Sequence, residues 1–73
     1  MSNYTNVVIT GDYIELNKLL KFEGLVESGA QAKQVIAEGY VLVNNEVATQ
    51  TRKKIFNADL VEVNGEVLRI ISG

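Results

Sequence analysis

Three of the chain's seven cations, Arg52, Lys53 and Lys54, stand in a row inside the stretch TQTRKKIF, residues 49–56. The chain also carries nine carboxylates and a net charge of −2, so the run does not simply reflect a basic composition. Consecutive cations attract polyanions, and phosphate contacts from Lys and Arg are the main source of affinity in nucleic-acid binding. The remaining cations are Lys18, Lys21, Lys33 and Arg69. Six of the seven fall between positions 18 and 54, whereas Asp12, Glu15, Asp59, Glu62 and Glu66 lie outside that window. This partial segregation allows a basic patch on an acidic body. Charge alone equally allows an ordinary solvated face and a charged loop, because every surface carries charges.

A second stretch, ESGAQAK (27–33), reads as the start of a helix. In a capping box the Ser28 hydroxyl accepts from the N–H of the third helical residue, and that residue, Gln31, reaches back with its side chain. Helix N-termini present free N–H groups and the positive end of the dipole, so they attract phosphate. The small residues Gly29 and Ala30 let a backbone come close, and Lys33 lies one turn in. Lys18 and Lys21 share the polar face of a preceding helix. If the basic run folds back beside the second helix, these groups line one surface.

Catalytic chemistry has little to work with. The chain has no His and no Cys, which removes Ser-His-Asp arrangements, disulfides and Cys-based metal sites. A Ser28–Lys33 pair can be written down, but a serine at a helix start is a cap before it is a nucleophile. The glycines of EGLVESGA each have a stop or cap role, and no phosphate-loop or dinucleotide fingerprint occurs. The reading is a non-enzyme with no catalytic residues, no metal site, no cofactor and no small-molecule substrate. Among the aromatics, Tyr4, Tyr13, Phe22, Tyr40 and Phe56 could stack on bases. Phe22 and Phe56 read as core, and Tyr40 beside Gly39 is the one retained as a base-stacking candidate.

These groups must be positioned by a small frame. Seventy-three residues make one domain with a limited core, expected over residues 1–73. The absence of Cys favours a reducing interior. No apolar run reaches the roughly 18–20 residues of a membrane span, and Met1–Asn6 lacks the layout of a signal peptide. A cytoplasmic protein with no membrane contact is therefore expected. NVVIT (6–10) reads as a strand broken by Gly11-Asp12. In IELNKLLKFEG, Leu16, Leu19, Leu20 and Phe22 cluster on one side of a helix stopped by Gly24. Ala32, Val35 and Ile36 form the stripe of the second helix, stopped by Gly39, and the short link Leu25–Ser28 makes an αα-hairpin. YVLVNNEVAT and LVEVNGEVLRII read as hairpins turning at Asn44-Asn45 and Asn64-Gly65, residues that tolerate positive φ. Their shared spacing V-x-V-N-x-E-V is convergent hairpin chemistry and not a repeat. Between them lies a polar, basic connection with a turn at NAD (57–59). The expected fold is α+β: a two-helix layer on a small antiparallel β-sheet.

The stretch LNKLLKFEGLVESGAQAKQVIAEGYVLVNNEVATQTRKKI resembles the S4-type RNA-binding domain. The likeness rests on the leucine-rich first helix (16–22), the G-L-V-x-S-G-A-Q-A-K lead-in to the second (24–33), I-A-E-G-x-V-x-V-N (36–44), the basic stretch and the following A-D-x-V turn. It covers about residues 14–66. It is most similar to small stand-alone bacterial members, which are thought to associate with ribosomes or ribosomal RNA. The resemblance implies an alpha-L-type two-helix motif holding RNA, with ribosomal RNA or an assembling ribosomal subunit as partner. Carried across by position, the site residues are Ser28, Gln31, Lys33, Gln34, Arg52, Lys53 and Lys54, with Lys18 and Lys21 on the first helix. The acidic total keeps a second reading open: a protein-interaction module with this fold that has lost strong RNA affinity. Oligomeric state is not legible in the sequence.

Overall fold

The structure is a computed structural model and describes residues 4–73; the first half of the Met1–Asn6 stretch lies outside them. The elements in chain order are β1 (Tyr4–Ile9), β2 (Tyr13–Glu15), α1 (Leu16–Phe22), α2 (Gly29–Ala37), β3 (Val41–Val43), β4 (Glu46–Val47), β5 (Lys54–Phe56), β6 (Leu60–Val63) and β7 (Glu66–Ser72). They build a five-stranded sheet in the order β1-β7-β6-β3-β4 and a separate two-stranded ribbon, β2–β5. Two helices on a mostly antiparallel sheet make this an α+β fold, as the periodicities predict.

The period of two turns one face of each strand inward. Val7 and Ile9, Val41 and Val43, Val61 and Val63, and Leu68 and Ile70 are all buried, and they form one core with Leu16, Leu19 and Leu20 of α1 and Ala32 and Ile36 of α2. Among the described residues no polar or charged residue is buried. The hairpin turns are the expected ones: Asn44 and Asn45 have φ of 52° and 69°, and Asn64 and Gly65 have 53° and 79°. The third turn, at NAD, is closed by Asp59, whose carboxylate accepts from the Phe56 N–H at 2.8 Å while its own N–H donates to the Phe56 carbonyl at 3.1 Å.

Both helices end in the same way. Gly24 (φ 71°) and Gly39 (φ 83°) follow the last turn in the left-handed region. Their N–H groups donate to Lys21 and Ile36, and the next N–H groups, of Leu25 and Tyr40, donate to Leu20 and Val35. This is the double hydrogen bond of the Schellman motif, which satisfies carbonyls that the helix leaves free.

The structure corrects three expectations. β1 runs parallel to β7, from Tyr4 opposite Val67 to Ile9 opposite Ser72, so the sheet is mixed; the pairing joins the two ends of the described chain, where no local pattern could announce it. The first helix, by contrast, has the expected bounds 16–22, and Ile14 and Glu15 ahead of it belong to β2. Phe22 is 66% exposed, because at 100° per residue it sits roughly 110° from the centre of the Leu16–Leu19–Leu20 stripe. Phe56 is 48% exposed, because Ile55 is the inward residue of β5 and its neighbours alternate outward.

Candidate nucleic-acid interface

The start of α2 is assembled from its own neighbours. Ser28 lies in extended backbone (φ −149°, ψ 165°), and its Oγ accepts from the Gln31 N–H at 3.1 Å. Gln31 Oε1 in turn accepts from the Glu27 N–H at 2.8 Å, one residue earlier than in the reciprocal box. Ser28 and Gln31 are thus occupied in shaping the helix start. Gly29 and Ala30, the first two helical residues, are exposed, as are Lys33 and Gln34 on the outer side of α2. Val35 is half-buried and joins Ala32 and Ile36 against the core.

The start of α1 is built differently. Its N-cap, Glu15, makes no side-chain capping bond. The first helical N–H groups donate to the backbone of the basic run: Leu16 to the Lys53 carbonyl at 2.8 Å and Asn17 to the Thr51 carbonyl at 3.0 Å. The run is fixed against the helix because β5 pairs with β2 in antiparallel register, Tyr13 opposite Phe56, Ile14 opposite Ile55 and Glu15 opposite Lys54. Ile55 is fully buried beneath this ribbon. The segment read as a polar connection therefore contains the strand Lys54–Phe56, and its carbonyls cap a helix.

Side chains then gather around Glu15. Its Oε2 accepts from Arg52 Nε at 3.3 Å and its Oε1 faces Lys18 Nζ at 3.5 Å. One carboxylate, 18% exposed at its side chain, bridges two cations that remain open to solvent. Lys54 Nζ lies 4.9 Å from the centroid of the Tyr13 ring. Lys53 is half-buried and lines a polar groove with Thr49, Gln50 and Asn44. Lys21, in the last turn of α1 where a cation favours the dipole, is exposed. Among the described residues, Lys21, Lys33, Lys53 and Lys54 make no ion pair; the two ion pairs seen there are those of Glu15.

The structure thus joins Lys18, Arg52, Lys53 and Lys54 at the start of α1, whereas the expected route was past α2. Lys21 stands at the other end of α1, and Ser28, Gln31, Lys33 and Gln34 stand on the neighbouring helix. Reading the sequence left out three neighbours of this cluster: Glu15, counted among the acids outside the basic window, and Tyr13 and Phe56, named as able to stack on bases but not retained. A signal was present. Read antiparallel, Tyr-Ile-Glu (13–15) and Lys-Ile-Phe (54–56) match aromatic to aromatic, isoleucine to isoleucine and acid to base, the kinds of cross-strand pair that stabilise a ribbon. Tyr40 is exposed but stands apart from this cluster, beyond the end of α2.

Two capped, closely linked helices on a small, mostly antiparallel sheet, with a basic segment held against the first helix, define an alpha-L type of α+β module. The S4 domain family model matches residues 7–71, and the chain belongs to that family. It is 45% identical over 60 residues to YbcJ of Escherichia coli (strain K12), covering 82% of this chain and 86% of that protein. It is 34% identical over 59 residues to a Bacillus subtilis (strain 168) protein named "Probable ribosome maturation protein RlbA", covering 81% and 83% of the two chains. The solution structure of Escherichia coli YbcJ, described as revealing an alpha-L motif involved in RNA binding, matches with a TM-score of 0.71 at 42% identity, over 97% of this chain and 91% of that one.

Proposed function

We propose that this chain is a non-catalytic RNA-binding protein that engages structured ribosomal RNA, or an assembling ribosomal subunit, through phosphate contacts. The observation that carries the reading is the anchoring of the basic run on α1. Backbone hydrogen bonds from Leu16 and Asn17 hold Thr51 and Lys53 in place, so Arg52, Lys53, Lys54 and Lys18 act from a rigid surface. A preorganised cationic surface loses less conformational entropy on binding than a loose loop. Lys21, Lys33 and Gln34 extend the contact along the helix pair, and Ser28 and Gln31 contribute by ordering the N–H groups of Gly29 and Ala30. The motif named for YbcJ and the maturation role in the name of the Bacillus relative support the partner class.

The test is co-sedimentation with ribosomal subunits from lysate over a salt series, with the bound RNA sequenced. Changing Arg52, Lys53 and Lys54 together to Gln should lower affinity. The slope of log affinity against log salt should fall in magnitude by about 2, taking the single-strand value of about 0.7 for each phosphate that is no longer neutralised. A triple variant with wild-type affinity and slope overturns the reading. It would favour a protein-interaction module, for which the exposed apolar residues Val8, Tyr13 and Phe22 around a shallow depression with Ile9 and Ile14 offer a surface.

A further inference from the structure

The outer face of the β2–β5 ribbon carries a pair of aromatic rings that cationic RNA contacts do not use. Tyr13 and Phe56 are directly opposite in register, their centroids are 5.8 Å apart and their planes are tilted by 47°. They are 42% and 48% exposed, on the face of the ribbon opposite the buried Ile55. Lys54 Nζ lies 4.9 Å from the Tyr13 centroid. Further charged groups lie beside it: Lys54 is the register partner of Glu15, and Glu15 meets Arg52 at 3.3 Å and Lys18 at 3.5 Å. An aromatic platform at the end of a cationic track is the arrangement that holds single-stranded nucleotides, the bases stacking on the rings and the phosphates following the charges.

We infer that Tyr13 and Phe56 form a stacking subsite for an unpaired nucleotide of the RNA, with Lys54 as its phosphate contact. The inference rests on the RNA-binding reading above and adds to it a preference for RNA with a single-stranded nucleotide beside a structured element. In the free protein the Lys54 ammonium rests over the Tyr13 ring, a cation–π contact of modest strength at an exposed site. An arriving base takes the ring face, and the ammonium turns to the phosphate of the same nucleotide. Every base has a π face, so the subsite recognises unpaired nucleotides of any identity. The rings also support the ribbon as a cross-strand pair, and the test must separate that role from binding.

The probes are three RNA hairpins that share a stem: one blunt, one with a short unpaired extension, and one whose extension lacks bases. Wild-type protein should bind the extended hairpin about tenfold more tightly than the other two, within the range that base–aromatic stacking supplies. Tyr13→Leu and Phe56→Leu keep apolar bulk but remove the π faces. Each should lose this preference while keeping the affinity for the blunt hairpin and the salt slope, with the melting temperature lowered only slightly by the loss of the cross-strand ring pair. Phe56→Trp should retain the preference. Because the chain has no other Trp, its fluorescence should be quenched by the extended hairpin and not by the abasic one. Binding of all three hairpins with equal affinity by the wild type, or a preference that survives both Leu substitutions, overturns the stacking subsite alone. Failure of the wild type to bind any of the hairpins at low salt overturns it together with the RNA-binding reading.

Discussion

The two helices begin in opposite ways. α2 is started by residues within a few positions of one another: Ser28 accepts from Gln31, and Gln31 accepts from Glu27. α1 is started by a distant segment, through the carbonyls of Lys53 and Thr51. A side-chain cap belongs to one residue and can be removed by one substitution. A backbone cap does not depend on the capping residue's side chain and disappears when the segment that carries it is moved. The side chains of the basic run can therefore vary without releasing the helix, which its carbonyls hold. Under the proposed RNA contact, structural and functional duties would be divided within one short segment, between main chain and side chain.

The largest test of this contrast removes what holds the strand. Ile55→Ala empties a fully buried position under the ribbon. It should destabilise the domain by about 2–5 kcal/mol, the usual cost of truncating a core Ile, and it should loosen the start of α1. Urea unfolding measures the first effect, and amide exchange at Leu16 and Asn17 the second. Protection there equal to that of the wild type would mean the basic run does not depend on Ile55 for its position. Ser28→Ala should act on the other helix only, at about 1 kcal/mol, read as a lowered melting temperature. It should also weaken RNA binding, because it releases the ordered turn at Gly29 and Ala30. An unchanged melting temperature would leave α2 without the local start ascribed to it.

The smallest effect on stability, and the most pointed for binding, comes from Glu15→Gln. The carboxylate makes exposed ion pairs with Lys18 and Arg52, and pairs of this kind contribute on the order of 0.2–1 kcal/mol each at most. Unfolding should change little. RNA affinity should rise and its salt dependence steepen, since the same carboxylate competes with phosphate for both cations. A fall in affinity would show that Glu15 orients Arg52 for RNA more than it restrains it.

Much of the frame was legible in the chain because its signals are local. Ser28 with Gln31 three residues later, glycine after each helix, and Asn-Asn or Asn-Gly between alternating apolar runs each depend on a few adjacent dihedrals. All three appear in the structure where the spacing put them. Phe22 and Phe56 were misread for a related reason: apolar type was taken as inward direction, whereas the phase of the helix and the pleat of β5 decided direction.

The amino-acid sequence by itself determined most of the elements, their turns and caps, and the presence of a compact basic run on an acidic chain. Short-range hydrogen bonding and side-chain period leave little freedom in those features. Tertiary structure alone decided three things: that β1 lies parallel to β7, that Thr51 and Lys53 cap α1, and that Arg52 reaches the carboxylate of Glu15. Each joins residues far apart in the chain, where contact depends on how the buried faces of all the elements pack at once, and no window of neighbouring residues contains that information.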